Sequence, residues 1–356
     1  MPEYLWRTRE SVGRRLLLAP LELAEWPYRL GAWLNRALYE RGMRARVRLP
    51  ARVISIGNPT VGGSGKTPLV AWLAGRLRER GEKVAVLCRG IGGARGQGVN
   101  VVSDGDRVLL SPTDVGDEPV WLAACVPGVP VLAGRSRVAL GLRASAVFGA
   151  EILLLDDGFQ HHRVHRDLDL VCIDARVRLG NGHVLPRGPL REPLGALRRA
   201  DALVWTRAPV REQTSEPDDP WLPPELPRFR VRMVPRGLRR IGAPGWVPTA
   251  ELADRKVGVL AAIARPQAFE RSLRELGAEP VARSLHPDHH FYTRADIEAL
   301  DPKLLWVTTA KDAIKIPASW VRRRRVMVLE EQVEPCPGPG LVDWICERHG
   351  PVGWVG

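Results

Sequence analysis

Residues 52–68 read RVISIGNPTVGGSGKTP, and the fold turns on how the last nine of them are taken. A β-like apolar run comes first. A glycine-rich loop follows, and from Lys66 to Arg80 the pattern is helix-like, closed by Gly81, a residue suited to a helix C-terminus. A phosphate-binding loop has this order of strand, glycine loop and helix, with the pattern G-x-x-x-x-G-K-[ST]. Counted back from Gly65-Lys66-Thr67, the first glycine falls at 60, where the chain has Thr60. The strict pattern therefore fails by one residue, but the chemistry does not. Gly62, Gly63 and Gly65 let backbone N–H groups turn toward phosphate oxygens, and a helix N-terminus adds favourable potential for an anion. Lys66 would reach the β- and γ-phosphates, and Thr67 would offer its hydroxyl to Mg²⁺. Thr60, Val61, Gly62, Gly63, Ser64, Gly65, Lys66 and Thr67 are thus the candidate ATP-binding residues. Pro68 falls in the first helical turn, where its missing N–H costs little. The competing reading is a glycine-rich turn with an incidental GKT, which needs strand, glycines and GKT to coincide by chance.

A phosphate loop of this class works with an acid at the tip of a nearby apolar strand. ILLLDDGFQ supplies one, with Asp156 and Asp157 after four apolar residues and Gln160 close by. Two carboxylates at a buried strand end call for a compensating cation, and Mg²⁺ on ATP is that cation. A kinase must also activate an acceptor hydroxyl. VGDEP, 115–119, offers Asp117 and Glu118 ahead of a helix-like stretch. HPDHH, 286–290, offers His286, Asp288, His289 and His290. A carboxylate–imidazole pair from these two segments, across an interdomain cleft, could take the hydroxyl proton. Read alone, each segment is more often a cap or a solvated loop. The His-His pair lacks a well-spaced third metal ligand, and His161, His162 and His165 read as packing.

The surrounding composition agrees with a two-domain enzyme. The 356 residues exceed one ordinary domain, and a 45% hydrophobic content supports a sizeable core. The formal charge of +13 points to an anionic partner. Only six of the 53 basic residues are lysine: Lys66, Lys83, Lys256, Lys303, Lys311 and Lys315. Five cysteines without C-x-x-C spacing fit neither a disulfide framework nor a zinc ribbon. The chain shows no secretory cleavage signature, and LLLAPL, 16–21, is far short of the roughly 20 residues of a membrane span.

Apolar strands alternate with helices from 52 to 208, which predicts a mostly parallel α/β sheet covered on both faces. Residues 209–227 hold six prolines and read as a linker. A second, smaller α/β series occupies 228–356, with Pro266 opening a helix and Thr293-x-x-Asp296 resembling a capping box. The expected domains are therefore 43–208 for the nucleotide and 228–356 for the smaller unit. Residues 1–42 carry Trp6, Leu16, Leu17, Leu23, Trp26, Leu30, Trp33 and Leu34 near helical spacing, with arginines between. They read as one or two amphipathic helices, kinked or broken at Pro20 and Pro27. Such an element either packs on the core or lies in a bilayer interface.

The segments VISIGNPTVGGSGKTP, VGDEPVWLA, LLDDGFQHHRVHRDLDLVCIDA, GNGHVLPRGPLREP, HPDHHFYT and TTAKDAIKI run in order from residue 53 to residue 316. In this combination the chain resembles the tetraacyldisaccharide 4'-kinase family of lipid A biosynthesis. That family also carries Thr where the strict loop has its first Gly. The resemblance implies transfer of the ATP γ-phosphate to the 4'-hydroxyl of an acylated glucosamine disaccharide 1-phosphate, giving lipid IVA. Its implied site has Lys66 and Thr67 on phosphate and Mg²⁺, and Asp156, Asp157, Glu118 and Gln160 in the metal region. Asp117 resembles the catalytic base, paired with His289, or failing that His290. Arg187 and Arg191 lie where cations could hold the substrate's 1-phosphate or ATP. The family pattern often has Glu where this chain has Ala310, so no role carries over there. The resemblance further implies a monomer docked peripherally by residues 1–42 at the cytoplasmic face of the inner membrane. The rivals are another phosphate-loop small-molecule kinase or a metallochaperone-type GTPase, for which a guanine-reading N-K-x-D is missing. A nucleic-acid binder is disfavoured because the arginines are spread rather than clustered.

Overall fold

The structure, a computed structural model, describes residues 12–96, 98–209 and 221–348. Sequence readings that fall on 1–11, on 210–220 and on 349–356 lie outside the described residues. In chain order the first elements are α1 (Val12–Glu40), β1 (Arg52–Gly57), α2 (Lys66–Glu79), β2 (Val84–Cys88), β3 (Asn100–Ser103), α3 (Pro112–Val115) and α4 (Asp117–Cys125). Next come β4 (Val131–Ala133), α5 (Arg137–Phe148), β5 (Ile152–Asp156), β6 (Leu168–Asp174), β7 (Ala202–Thr206), β8 (Arg228–Arg240) and β9 (Lys256–Ala261). The last are α6 (Pro266–Glu275), β10 (Glu279–Leu285), α7 (Arg294–Glu298), β11 (Leu305–Thr309), α8 (Ala310–Ala313), β12 (Arg325–Pro335) and α9 (Leu341–Glu347).

The chain divides into two units, neither of them continuous in sequence. The first joins residues 1–88, 136–232 and 334–356. Its strands run β8-β7-β6-β1-β5-β2, and the pairs β1–β5, β1–β6, β2–β5, β6–β7 and β7–β8 are all parallel. Every residue of β2, β5, β6 and β7 is buried, as a sheet covered on both faces requires. α2 buries Leu69, Val70, Leu73, Ala74 and Leu77, the i, i+4, i+7 stripe of a helix laid on a sheet. Ile56 of β1 pairs in register with Asp156 of β5. The loop after β1 and the acids after β5 therefore emerge at the same end of neighbouring strands. Gly57 ends β1 because the chain crosses itself there: a Cβ would lie 2.5 Å from the Cβ of Phe159.

The second unit joins residues 89–135 and 233–333. Its strands run β10-β9-β11-β12-β8, parallel across β10–β9, β9–β11 and β11–β12, with the antiparallel pair β3–β4 beside α3 and α4. Leu252, Val257, Val259, Leu273, Val307 and Leu329 form its fully buried core. The capping box at Thr293 and Asp296 and the helix opening at Pro266 are both present.

These units depart from the linear division expected from sequence. Residues 89–135 continue the strand–helix rhythm of what precedes them, yet they belong with 233–333. What ties them there is polar and distant in sequence: Asp117 bonds His289, and Glu118 bonds Lys311. Of the N-terminal alternatives, one helix or two, the structure has one, and the prolines do not break it. α1 is one continuous helix with Pro20 and Pro27 inside it, although each interior proline costs about 3 kcal/mol. Anchors on one face offset that cost. Glu25 is buried, with its Oε2 2.8 Å from His183 Nδ1 and its Oε1 accepting from Val184 N at 3.1 Å. Tyr28 donates to the carbonyl of Arg191 at 3.0 Å.

Candidate active site

In the first unit the glycine loop is built by its neighbours. Asn58 is fully buried and donates to the carbonyl of Thr60 at 2.6 Å. Val61 N donates to Pro189 O at 2.8 Å and Arg191 N to Pro59 O at 2.7 Å, so the 189–191 segment lies along the loop. From the other side Thr206 Oγ1 donates to Ser64 O at 2.5 Å, and Arg207 donates to Gly63 O at 2.8 Å while gripping Asp174 at 2.6 Å. Gly65 has φ +76, and a Cβ there would meet Thr206, so glycine is required on both counts.

The side chains then converge. Thr67 Oγ1 donates to Asp156 Oδ2 at 3.3 Å. Lys66 Nζ lies 3.4 Å from Asp157 Oδ1. Arg191 donates to both oxygens of Asp157, at 3.0 and 2.9 Å, and to Gln160 Oε1 at 3.5 Å. Gln160 Nε2 donates to Asn58 O at 3.2 Å, which links the acids back to the loop. Asp157 sits at φ +57, a backbone strain of the kind found at functional sites. Burial alone would raise its pKa, but Lys66 and Arg191 outweigh burial and hold it below the usual carboxylate value. Asp156, Asp157 and the Thr67 hydroxyl form a set of hard oxygen donors, which fits Mg²⁺.

Arg191 thus joins the acid cluster, as a partner of Asp157. Arg187 does not: only 1% exposed, its Nε is 3.5 Å from Glu22 of α1. That position against α1 sets Arg187 apart from the acid cluster. Nor does Glu118 join these donors within the first unit. It belongs to the second, where its Oε1 accepts from Lys311 at 2.8 Å.

In the second unit Asp117 opens α4, Lys311 lies on α8, and His289 sits between β10 and α7. His289 Nδ1 is 2.8 Å from Asp117 Oδ1. The carboxylate and imidazole expected to meet across a cleft therefore meet inside one unit. The Asp117 side chain is 2% exposed and that of His289 37%, so the imidazole is the outward member. The bond to Asp117 raises the pKa of His289 against burial and Lys311. At Asp117 burial pushes upward, but His289, Lys311 and Lys315 together hold the pKa low. His289 adopts φ +62 and its N–H donates to Asp288 Oδ1 at 3.1 Å.

His290 is committed elsewhere. Its Nε2 lies 3.2 Å from Asp296 Oδ2, and its ring stacks on His286 at 4.4 Å. Asp296 is the third potential ligand that sequence spacing did not reveal. The two rings are only 10° from parallel, so their in-plane lone pairs cannot converge on one ion without a ring turning. His162 is a packing residue, as expected: buried against Tyr39, with its pKa pushed down to about 3 by burial and nearby arginines.

Sequence reading missed Asn58, Thr206 and Arg207, which shape the loop, and Lys311, which holds Glu118. Only Lys311 left a trace, as one of six lysines in an arginine-rich chain.

Comparison with known proteins identifies the family. Residues 14–349 match the family model described as tetraacyldisaccharide-1-P 4'-kinase. The chain belongs to the tetraacyldisaccharide-1-P 4'-kinase family. It is 43% identical over 331 residues to the tetraacyldisaccharide 4'-kinase of Anaeromyxobacter dehalogenans, covering 87% of this chain and 84% of that one. It is 38% identical over 350 residues to the enzyme of the same name from Geobacter sulfurreducens, covering 95% and 98%. A crystal structure of LpxK from Aquifex aeolicus in complex with ATP superposes with a TM-score of 0.77 at 31% identity, over 93% of this chain and 99% of that one. The mostly parallel α/β phosphate-loop kinase fold expected from the sequence is thereby established.

Proposed function

We propose that this chain transfers the γ-phosphate of ATP to the 4'-hydroxyl of an acylated glucosamine disaccharide 1-phosphate, giving lipid IVA in lipid A biosynthesis. The observation that carries the reading is the convergence of Lys66, Thr67, Asp156 and Asp157 at the ends of β1 and β5, in a chain of this kinase family. The amides opening α2 and the Lys66 ammonium receive the phosphates. Thr67, Asp156 and Asp157 would hold Mg²⁺, which when bound neutralises the charge that builds between the β- and γ-oxygens. Arg191 keeps Asp157 ionised and oriented.

The proton of the acceptor hydroxyl leaves through His289, the exposed member of its pair, with Asp117 behind it orienting the ring and balancing the imidazolium charge. Positioning and charge neutralisation carry most of the rate of a loose phosphoryl transfer, and the base adds a smaller share, about 10²–10⁴.

The substrate's acyl chains place it in a bilayer, and α1 suits a peripheral approach. Its polar residues Glu22, Glu25 and Tyr28 face residues 183–191 of the protein. Leu18 and Ala37 are buried, but most of its large apolar residues face outward: Leu23, Trp26, Leu30, Trp33 and Leu34 are all exposed, Trp26 at 68% and Leu30 at 61%. Beside them a groove of about 830 Å³ is rimmed by Arg29, Arg36 and Arg198. Among the described residues no helix is long and apolar enough to cross a membrane. An exposed apolar face edged by arginine matches an element seated in an anionic bilayer surface. These features support peripheral docking, which we take, with the family resemblance, to be that of a monomer at the cytoplasmic face of the inner membrane.

The test is direct. Purified protein with Mg-ATP and a disaccharide-1-phosphate lipid should yield a product heavier by one phosphate. ATP hydrolysis with no change in the lipid's mass would refute the assignment.

A further inference from the structure

The segment TTAKDAIKI, 308–316, carries a charged group with no place yet in the mechanism. Lys315 has a fully buried side chain, and a buried ammonium persists only when compensated. Its Nζ is 2.8 Å from Asp312 Oδ1 and 3.7 Å from Asp117 Oδ2. A third side is the ring of Tyr292, with its centroid 5.4 Å away. Asp312 is fixed in turn, accepting from Thr309 Oγ1 at 2.8 Å and Ala262 N at 3.2 Å. Asp312 alone would neutralise Lys315, so the approach to Asp117 is an additional arrangement.

Asp117 divides its two oxygens. Oδ1 accepts from Glu118 N at 2.9 Å and meets His289. Oδ2 is buried without a hydrogen bond and faces two ammonium groups, Lys315 at 3.7 Å and Lys311 at 3.9 Å. Lys311 is already committed to Glu118 and remains partly exposed. The charged groups around the pair are thus Lys311 and Lys315 from the 310–315 segment, Glu118 from α4, Asp312 behind Lys315, and Asp288, whose Oδ2 is 3.7 Å from His289 Nε2. A compact ammonium fits between two carboxylates and a ring where a planar guanidinium would not. That gives a reason for lysine in a chain that otherwise prefers arginine.

We propose that Lys315 is a positioning residue for the proton-accepting pair: anchored by Asp312, its ammonium holds the inner oxygen of Asp117 so that the outer oxygen stays on His289. The inference rests on the reading of Asp117 and His289 as the base.

Two variants test it. Lys315→Met removes the ammonium but leaves Asp312 buried and unpaired, and it is prone to misfold. Asp312→Asn/Lys315→Met removes both charges and keeps similar volume. The double change removes an anion as well, but Lys315 is the member that faces Asp117, at 3.7 Å, so its loss sets the sign: the proton affinity of the pair rises and the acid limb of the kcat profile moves to higher pH. Turnover at neutral pH falls about tenfold, a fraction of what a whole general base supplies, and the KM for ATP stays unchanged. A double variant with a normal thermal transition whose acid limb coincides with that of the wild type overturns the proposal. His289→Asn separates the two failures. If it leaves kcat intact, the base reading itself fails. If it abolishes turnover while the double variant's limb is unmoved, only the role of Lys315 fails.

Discussion

The dyad can be tested by a thermodynamic cycle. Asp117→Ala and His289→Asn are made singly and together; Asn is chosen because His289 sits at φ +62, and Asn tolerates that region better than Ala. A positioned base contributes about 10²–10⁴ in rate, or about 2.7–5.5 kcal/mol at 1.36 kcal/mol per decade. The 2.8 Å contact to a carboxylate that is 2% exposed is in the range of a charge-assisted hydrogen bond. Neither partner works alone in such an arrangement, so each single change should cost roughly 10²–10³ in kcat and the double no more. Independent groups would multiply, giving roughly 10⁴–10⁶. Initial rates at saturating Mg-ATP in mixed micelles give the numbers, with ATP affinity by calorimetry as the control. A double loss equal to the product of the singles sinks the idea of a unit.

The same pair fixes two pH signs. Asp117→Asn removes the main cause of the raised His289 pKa, so the acid limb of kcat moves to lower pH, opposite to the shift expected on loss of Lys315. For stability, the raised pKa of His289 contributes fully below the unfolded value of 6.5 and is lost as pH rises through the folded one. The lowered pKa of Asp117 contributes above 3.8 and is lost as pH falls through the folded value. Both act together between 3.8 and 6.5. Asp117→Ala should therefore depress Tm most within that window, and an effect unchanged from pH 5 to pH 9 would contradict the assignment.

Other expectations are simpler. Lys66→Ala should remove most turnover and weaken nucleotide binding, since Lys66 is the ammonium proposed to meet the phosphates; near-normal kcat would place the phosphates elsewhere. Replacing Trp26 and Leu30 with Asp should reduce co-sedimentation with anionic vesicles, since each well-placed Arg beside them adds only about 1 kcal/mol; unchanged binding would disqualify α1 as the docking element. Gly65→Ala forces a Cβ into a left-handed position against Thr206 and should lower unfolding stability by about 1–2 kcal/mol, read by denaturant titration.

What the sequence reveals divides along physical lines. A motif whose function requires fixed local spacing is visible before folding: Lys66 and Thr67 follow their loop, and Asp156 and Asp157 follow their strand. The meeting of those two stretches follows from adjacent parallel strands, and the Ile56–Asp156 register confirms it. Arg187 and Arg191, four residues apart, look equivalent as text, but one is buried against Glu22 and the other grips Asp157. Composition cannot distinguish them because the difference lies in α1, far away in the chain. β8 hid behind Pro235 and Gly237, although Phe229 and Val231 alternate with arginines in the pattern of a half-buried strand. The assignment of residues 89–135 had no local signal, since ion pairs over 170 residues apart in sequence hold it.

In each unit the acidic side chains are already paired with cations, and that bears on how the nucleotide enters. Asp157 is held by Lys66 and Arg191, and Glu118 by Lys311. A phosphate tail arriving with a divalent cation offers each partner a substitute: Lys66 can exchange Asp157 for phosphate, and Asp157 can exchange Lys66 for the metal. Such an exchange would leave neither group unpaired. With Arg191 bound to both oxygens of Asp157, the carboxylate would keep its orientation during that exchange. On this argument Lys66→Ala should leave Asp157 still paired and the fold intact. Arg191→Ala should loosen the acid itself, weakening metal-dependent nucleotide binding more than metal-free binding. Equal loss with and without magnesium would show that Arg191 serves the nucleotide directly instead.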